Sequence, residues 1–197
     1  MGCWLMVWNK SGTTTLGSAG DDLDITSFTA STFNTILAHY SPTGGDAQNL
    51  TRFNNISTAS YARRKSTNGG SDFSSGSETS INNSYQTDDD HFYVMYGADI
   101  TGEEKLFIEQ LIDTGGSGAG NAPDRIEYVF KMVNDGDTRV TRVDFANGSA
   151  GSYDTDSNIT VLGSDGTESL DIQDGAIYYD TDLNKEYVLY NNTWSEV

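Results

Sequence analysis

The chain has 197 residues, with 11 Lys and Arg against 29 Asp and Glu, which gives a formal net charge of −18. Such a charge argues against nucleic-acid binding, because that needs clustered Lys and Arg to replace the counterions of the phosphates, and against binding to anionic membranes. Gly, Ser, Thr, Asn and Asp separate short apolar runs that are rich in residues suited to a half-buried sheet. No run approaches the roughly 20 apolar residues of a membrane helix. We therefore expect an all-β protein that neither binds nucleic acid nor inserts into a membrane.

Short alternating runs predict the strands of the first half of the chain. Asp22–Thr26 alternates polar and apolar residues, the pattern of a half-buried strand. Lys10–Gly20 is turn-rich. Thr67–Asn83 is polar and rich in Gly and Ser, and it predicts either a long surface loop or an excursion at a sheet edge. The predicted strands are Cys3–Asn9, Asp22–Thr26, Phe33–Tyr40, Asn49–Asn55 and Ser57–Lys65.

The second half of the main body continues the pattern. Asn134-Asp135-Gly136-Asp137 is a tight hairpin signal, since Asp-Gly accepts the positive φ of a type I′ turn, and it predicts that the two flanking strands pair. Gly102–Ile112 has two acids near a possible helix start, but its apolar core and flanking glycines favour a strand. The predicted strands are His91–Ile100, Lys105–Ile112, Arg125–Val133, Arg139–Ala146 and Asn158–Leu162.

Turn signals at roughly ten-residue spacing are typical of an antiparallel β-sandwich. We expect a jelly-roll-like sandwich over residues 1–163 and a short C-terminal β annex over residues 164–197. The annex has three predicted strands, Ala176–Tyr179, Glu186–Tyr190 and Thr193–Ser195. A unit this short cannot bury enough surface alone, so we expect it to pack on the main body, on another copy or on another protein, and we expect a homo-oligomer.

A six-residue motif, Y-D-T-D-x-N, occurs twice. Many calcium-binding loops begin with oxygen ligands at alternate positions. Neither copy, however, has the glycine or the glutamate that complete an EF-hand. Two Asx turns, in which Asp accepts local backbone N–H groups, are the favoured explanation of the motif. The candidate calcium ligands are Asp154, Asp156 and Asn158 in the first copy and Asp180, Asp182 and Asn184 in the second.

The residues that could carry catalysis are few. His39 and His91 are the two histidines, and no G-x-S-x-G elbow accompanies them; His39 alternates with Leu37 and Phe33 and is expected in or beside the core. With one cysteine, Cys3, they do not form a convincing zinc site. A glycosidase pair could come from Glu103, Glu104, Glu109 and Glu127. Because the aromatic residues follow strand alternation and are expected in the core, we expect no enzyme.

In the annex, Asp174–Lys185 followed by Tyr190–Trp194 resembles a short C-terminal module of structural and tail-fibre proteins from virions of marine tailed viruses. In the main body, the resembling segments are Thr101–Leu106, Gly118–Pro123, Thr141–Asp144, Asp156–Asn158 and Val161–Ser164.

The resemblance implies a component of a tail fibre, tail tip or head exterior. Such a protein would act at the virion surface, outside the cell, by assembly with itself and with other virion proteins, and by display towards a host-surface glycan or protein. The resemblance assigns no catalytic residue to this chain. The alternative from another class is a secreted carbohydrate-binding module with structural calcium, since such modules are also acidic β-sandwiches; exposed coplanar aromatic rings would favour it.

Overall fold

The computed structural model describes residues 8–133, 138–165, 175–181, 183–190 and 193–197, and for residues 83–87 it describes the backbone alone. The backbone in these ranges forms strands, turns and no helix, so the predicted all-β fold is confirmed. It follows that the described residues contain no helix able to cross a membrane. The chain divides into two compact units, one spanning Trp8–Asp165 and the other containing the described residues from 175 onwards.

The first unit is built from two antiparallel sheets. Its strands are β1 (Asn9–Thr15), β2 (Asp22–Ile25), β3 (Phe33–Tyr40), β4 (Pro42–Thr43), β5 (Ala47–Phe53), β6 (Tyr61–Thr67), β7 (Phe73–Glu78), β8 (Ile81–Thr87), β9 (His91–Ala98), β10 (Lys105–Asp113), β11 (Asp124–Met132), β12 (Val143–Asn147), β13 (Ser152–Tyr153) and β14 (Asn158–Ser164). The eight-stranded sheet has the order β1-β14-β3-β9-β10-β11-β6-β7, and the four-stranded sheet has the order β2-β12-β5-β8. Strands β4 and β13 form a separate short pair.

Aromatic side chains join the two sheets into a sandwich. Phe53 of β5 stacks on Phe107 of β10 with ring centroids 4.6 Å apart, and Phe107 in turn stacks on Phe130 of β11 at 4.9 Å. Phe145 of β12 meets Tyr93 of β9 edge-on at 5.5 Å. These rings lie in one buried core, which is the arrangement expected where the inner faces of two sheets interdigitate.

Two polar segments of the first half form more strand than the sequence predicted. The expectation of turns over Lys10–Gly20 is wrong, because β1 occupies its first part and pairs with β14 at the sheet edge. There Thr13 Oγ1 lies 2.9 Å from Thr160 Oγ1, so a polar run is stabilised by cross-strand hydrogen bonds. The predicted strand Cys3–Asn9 lies largely outside the described residues. Thr67–Asn83 supplies β7 and the start of β8, one at an edge of each sheet, as its edge-excursion interpretation predicted.

The predicted pairing of Arg125–Val133 with Arg139–Ala146 is wrong. Strand β11 pairs with β10 and β6, whereas β12 pairs with β2 and β5 in the opposite sheet. The chain before β12 is bonded elsewhere: the Val140 N–H donates to Asp99 Oδ2 (2.7 Å) and the Thr141 N–H donates to Asn54 Oδ1 (2.9 Å). These side-chain acceptors hold the segment before β12 in the position from which the chain enters the four-stranded sheet. The hairpin signal at Asn134–Asp137 lies outside the described residues.

The second unit is a small antiparallel sheet. Its strands are β15 (Ile177–Asp180), β16 (Lys185–Tyr190) and β17 (Thr193–Glu196), in the order β15-β16-β17. All three strands lie where the sequence predicted the strands of the annex.

Candidate functional site

Strand β10 carries its side chains in an unexpected orientation. Its apolar residues Leu106 and Ile108 point outwards and are 57% and 56% exposed. Its charged residues Lys105, Glu109 and Asp113 point into the sandwich, where at most 1% of each is exposed. Since successive side chains of a strand point to opposite faces, a one-residue slip would reverse both sets. The observed register therefore buries three charged groups and leaves apolar ones outside.

The neighbouring strands extend this apolar surface across the eight-stranded sheet. We call it the outer apolar face, and it consists of the outward side chains Phe33 and Leu37 of β3, Phe92, Val94 and Tyr96 of β9, Leu106, Ile108 and Ile112 of β10, and Val129 of β11. Seven of the nine are exposed, by 37–57% of their area. At roughly 150–200 Å² for each full side chain, they present on the order of 600 Å² of apolar surface.

The strand register makes the outer apolar face continuous. Ile108 lies directly opposite Tyr96 on one side and Val129 on the other, so three adjacent strands present one apolar row. Phe92 and Ile112 form a parallel row. Side chains opposite one another in antiparallel strands lie about 4.5–5.5 Å apart at Cβ. These rows therefore form one surface and not scattered apolar residues.

The interior carries the charges that this orientation turns inwards. Lys105 Nζ lies 3.0 Å from Asp99 Oδ1, and both side chains are completely buried. Glu109 is flanked on the neighbouring strands by Met95 and Tyr128, and its burial raises its carboxyl pKa to about 8, an effect that Arg63 partly offsets. Buried charges are costly even when paired. The same inward side of β10 also buries Phe107 and Leu111, so this orientation combines apolar core packing with buried ionisable groups.

The outward side of the four-stranded sheet carries paired charges. Asp24 of β2 and Asp144 of β12 lie directly opposite each other. Arg142 donates to both, with its Nη2 3.1 Å from Asp24 Oδ2 and its Nε bonded to Asp144 Oδ1. Burial, and then the charge of Asp144, raises the pKa of Asp24 to about 6. The two outward sheet faces of the sandwich therefore differ in chemistry: one is apolar, and the other carries aspartates paired with arginines.

The first predicted calcium motif forms a turn before β14. Asp154 Oδ1 accepts the Thr155 N–H (2.7 Å), the Asp156 N–H donates to the Leu16 carbonyl (2.9 Å), and Asn158 Nδ2 donates to the Asp156 carbonyl (3.1 Å). Asp156 has a φ of 69°, which Asp tolerates in tight turns. The motif therefore forms a tight local turn, but Asp154 accepts the N–H of the next residue and not the N–H two residues on that defines an Asx turn. Calcium binding stays a prediction.

The second motif has a similar arrangement in the annex. Asp180 Oδ1 accepts the Leu183 N–H (3.0 Å), and the Tyr179 hydroxyl bonds to Asn184 Oδ1. Asp182 lies outside the described residues. Across the part of the chain that the structure describes, no three His, Cys, Asp or Glu side chains come together as metal ligands would.

The two histidines lie on opposite faces of the eight-stranded sheet. His39 is exposed on the outer side of β3, so the expectation that it sits in or beside the core is wrong. It does alternate with Leu37 and Phe33, but the face they share is the outer one. His91 is fully buried and stacks on Tyr40 with ring centroids 4.6 Å apart. Burial lowers the pKa of His91 to about 4.

The four glutamates considered for a glycosidase pair do not share one face. Glu109 points inwards, whereas Glu127 lies on the outward side of β11 with its Oε1 3.7 Å from Arg125 Nε. Glu104 pairs with Lys131 at the surface (2.7 Å), and Glu103 is exposed in the turn before β10. This arrangement does not place two of them on either side of a common substrate groove.

An acidic cleft lies where the loop before β9 meets the glycine-rich loop after β10. It is lined by Asp88, Asp89, Asp90, Thr114, Gly116, Ser117 and Gly118. Asp89 Oδ1 accepts the Thr114 hydroxyl (3.0 Å) and the Gly116 N–H (3.1 Å). This carboxylate therefore ties the two loops together.

Sequence reasoning assigned the aromatic residues to the core and so missed the outer apolar face. A signal was present: Phe92–Tyr96 is a continuous apolar run, and Leu106–Ile112 is nearly one. Uninterrupted runs of this kind are typical of strands that are covered on both faces. Comparisons with protein-family models, with curated proteins and with solved structures found no match.

Proposed function

We propose that this protein is a non-enzymatic structural component of a virion, at a tail fibre, tail tip or head exterior. It acts by assembling with itself and with other virion proteins at the particle surface, outside the cell. There it displays its loops towards a host-surface glycan or protein. The segments that resemble virion proteins of marine tailed viruses suggest the particle.

The observation that carries the proposal is the outer apolar face. Its area, on the order of 600 Å², is at the upper limit of the largest apolar patch on ordinary soluble monomers. The chain is otherwise strongly acidic, and its register buries Lys105 and Glu109 while it exposes Leu106 and Ile108. A surface of this kind supports a permanent protein neighbour, which is what an assembly component has.

The test is to locate the chain on particles. Virions are prepared from the virus whose genome encodes this chain. An antibody raised against the unit Trp8–Asp165 should label the outside of the intact particles in negative-stain electron microscopy. Labelling that requires particle disruption, or that is absent from particles altogether, contradicts the proposal. An antibody against a known internal virion protein provides the control for particle integrity.

Carbohydrate binding is a second candidate function, and the exposed aromatic rings of the annex favour it: Tyr178 is 51% exposed and Trp194 is 39% exposed. Tyr178 stacks on Tyr187 with centroids 6.1 Å apart and meets Trp194 at 5.9 Å. Tyr178 and Trp194 cross at 66°, so they do not offer the coplanar platform that would favour a sugar ring. Binding of the full-length chain to members of a glycan array would favour this function over assembly alone.

A further inference from the structure

We propose that two copies of this chain pair through the outer apolar face, with their eight-stranded sheets packed face to face about a two-fold axis. This inference rests on the proposed function in taking assembly to be the protein's role, and it names the surface and the partner. The partner is a second copy of the same chain.

The charge distribution favours a second copy at this face. Among the outward side chains of β3, β9, β10 and β11, one is acidic, Glu127, and two are permanently cationic, Arg125 and Lys131. The chain as a whole carries −18, so most surfaces of two copies would repel each other. At this face the one acid, Glu127, lies 3.7 Å from Arg125 of its own chain, so two copies can meet here with little repulsion between like charges.

The size of the face also fits self-association. A standard interface buries about 800 Å² on each partner. The apolar side chains present on the order of 600 Å², and exposed polar neighbours on the same side, such as His39, Gln110 and Arg125, bring the surface into that range. An apolar centre with a polar rim is the usual anatomy of a protein interface.

The sheet geometry fits the same partner. The row Tyr96–Ile108–Val129 lies at the centre of the face, and two sheets pack about 10 Å apart when such rows interdigitate. A two-fold axis makes the interface isologous, so each residue contributes twice. A single substitution at the centre therefore introduces two changes into each dimer.

The test measures the mass of the full-length chain by size-exclusion chromatography with light scattering, over a concentration series. The unsubstituted chain should be a dimer, or a larger assembly built from dimers. Ile108→Lys should raise the dissociation constant of the pair on the order of 100-fold or more, because two charges enter the apolar centre. Asp22→Asn provides the matched control, since it makes the same +1 change in net charge at an exposed position of β2 in the opposite sheet. It should leave the mass unchanged.

Ile108→Thr guards against misfolding, because it keeps a β-branched side chain in a strand and adds no charge. It should weaken the pair while circular dichroism shows the same β-sheet content. A stable monomer at all concentrations overturns the inference. A dimer whose measured mass is unchanged by both Ile108 substitutions also overturns it. A monomer that uses this face for another virion protein also overturns it.

Failure here and failure of the proposed function can be told apart. Virions that are labelled by the antibody, together with a mass that is insensitive to Ile108→Lys, contradict the pairing surface alone. A dimer that Ile108→Lys dissociates, together with unlabelled virions, contradicts the virion role alone.

Discussion

Lys105 and Asp99 form an ion pair in which both side chains are completely buried, with Lys105 Nζ 3.0 Å from Asp99 Oδ1. Arg139 also contacts this carboxylate, with its Nε 3.2 Å from Oδ2. Asp99 further accepts the Val140 N–H, which fixes the segment that leads to β12. The ion pair therefore links the inner side of β10 to the segment before β12, where the chain crosses from one sheet to the other.

Removing the lysine should destabilise the sandwich strongly. Lys105→Met keeps the volume but leaves Asp99 with less compensation, and breaking a buried pair in this way typically costs about 3–5 kcal/mol. Urea denaturation followed by tyrosine fluorescence measures the loss in the free energy of unfolding. Arg139 remains to share the charge, so the lower end of that range is expected.

Two further variants control this experiment. Lys131→Met breaks the exposed pair with Glu104 and should cost at most about 1 kcal/mol. Combining Lys105→Met with Asp99→Asn removes both charges and should recover part of the loss. Equal losses for Lys105→Met and Lys131→Met would show that the buried pair has no special weight.

Glu109 should make stability depend on pH above neutrality. Its pKa is about 8 in the folded state against an ordinary 4.5, so between these values the folded state holds more protons than the unfolded chain. The free energy of unfolding then falls as pH rises, by at most about 1.4 kcal/mol per pH unit. His91 acts in the opposite direction, because its pKa is lowered from 6.5 to about 4, and stability from that group rises with pH over this interval.

The window from about pH 6.5 to 8 therefore shows the Glu109 effect most clearly. Glu109→Gln should flatten the pH dependence there and should be the more stable protein at pH 8. Thermal melts at half-unit pH intervals measure this. Glu127→Gln, on the outward side of β11, should keep the original slope. A Glu109→Gln profile that still falls steeply between pH 6.5 and 8 would rule out this assignment.

Gly97 provides the space for the aromatic stack that joins the sheets. It lies directly opposite Phe107, and a Cβ at this position would come within 2.2 Å of the Phe107 ring. Gly97→Ala should therefore destabilise the fold by about 1–3 kcal/mol, as overpacking of a core does. Gly76→Ala on β7, where a Cβ meets nothing within 4 Å, should change stability by less than about 0.5 kcal/mol. Adding Phe107→Leu should rescue part of the Gly97→Ala loss.

Alternation in the sequence predicted most strands but could not predict which face of each is buried. In β10, Phe107 and Leu111 point inwards, while Leu106 and Ile108 point outwards, so apolar residues occupy both faces. The choice depends on which register the neighbours β9 and β11 permit, and that is a long-range property. The apolar runs of β9 and β10 indicated strands with two apolar faces, but only the register of the whole sheet shows which residues form the outer apolar face.

The partner of each strand was also beyond local reasoning. A turn signal indicates where the chain reverses, but Asp99 and Asn54, distant in sequence, decide that the segment before β12 crosses to the other sheet. The annex was predictable because its three strands pair with their sequence neighbours. The calcium motif was predictable only as a choice between a metal loop and an Asx turn, since both use the same oxygens.

The calcium hypothesis makes its own prediction for the two Y-D-T-D-x-N motifs. If Asp154, Asp156 and Asn158 bind Ca²⁺, saturating calcium should raise Tm, because a ligand that binds only the folded state stabilises it by mass action. Asp154→Asn should reduce that rise. It leaves an oxygen that can accept the Thr155 N–H, so the local turn is kept. A Tm that is the same in calcium and in chelator ends the hypothesis and leaves the turns as the full explanation.

The annex sheet depends on Tyr178, which contacts Tyr187 on the adjacent strand and Trp194 on the strand beyond it. Aromatic pairs contribute about 0.5–1.5 kcal/mol beyond the area they bury, and small sheets of few strands are only marginally stable. Trp194 is 39% exposed, so Trp194→Ala should cost less than the removal of a fully buried ring. It should nevertheless open the sheet, and hydrogen exchange measured by mass spectrometry should become several-fold faster at the amides of β15 to β17 (Ile177–Glu196).

Tyr190→Ala provides the matched control. Tyr190 is 67% exposed on the opposite side of β16, so this substitution should leave exchange nearly unchanged. Equal acceleration by the two variants would show that the strand backbone, and not the Tyr178–Trp194 contact, sets the stability of the annex.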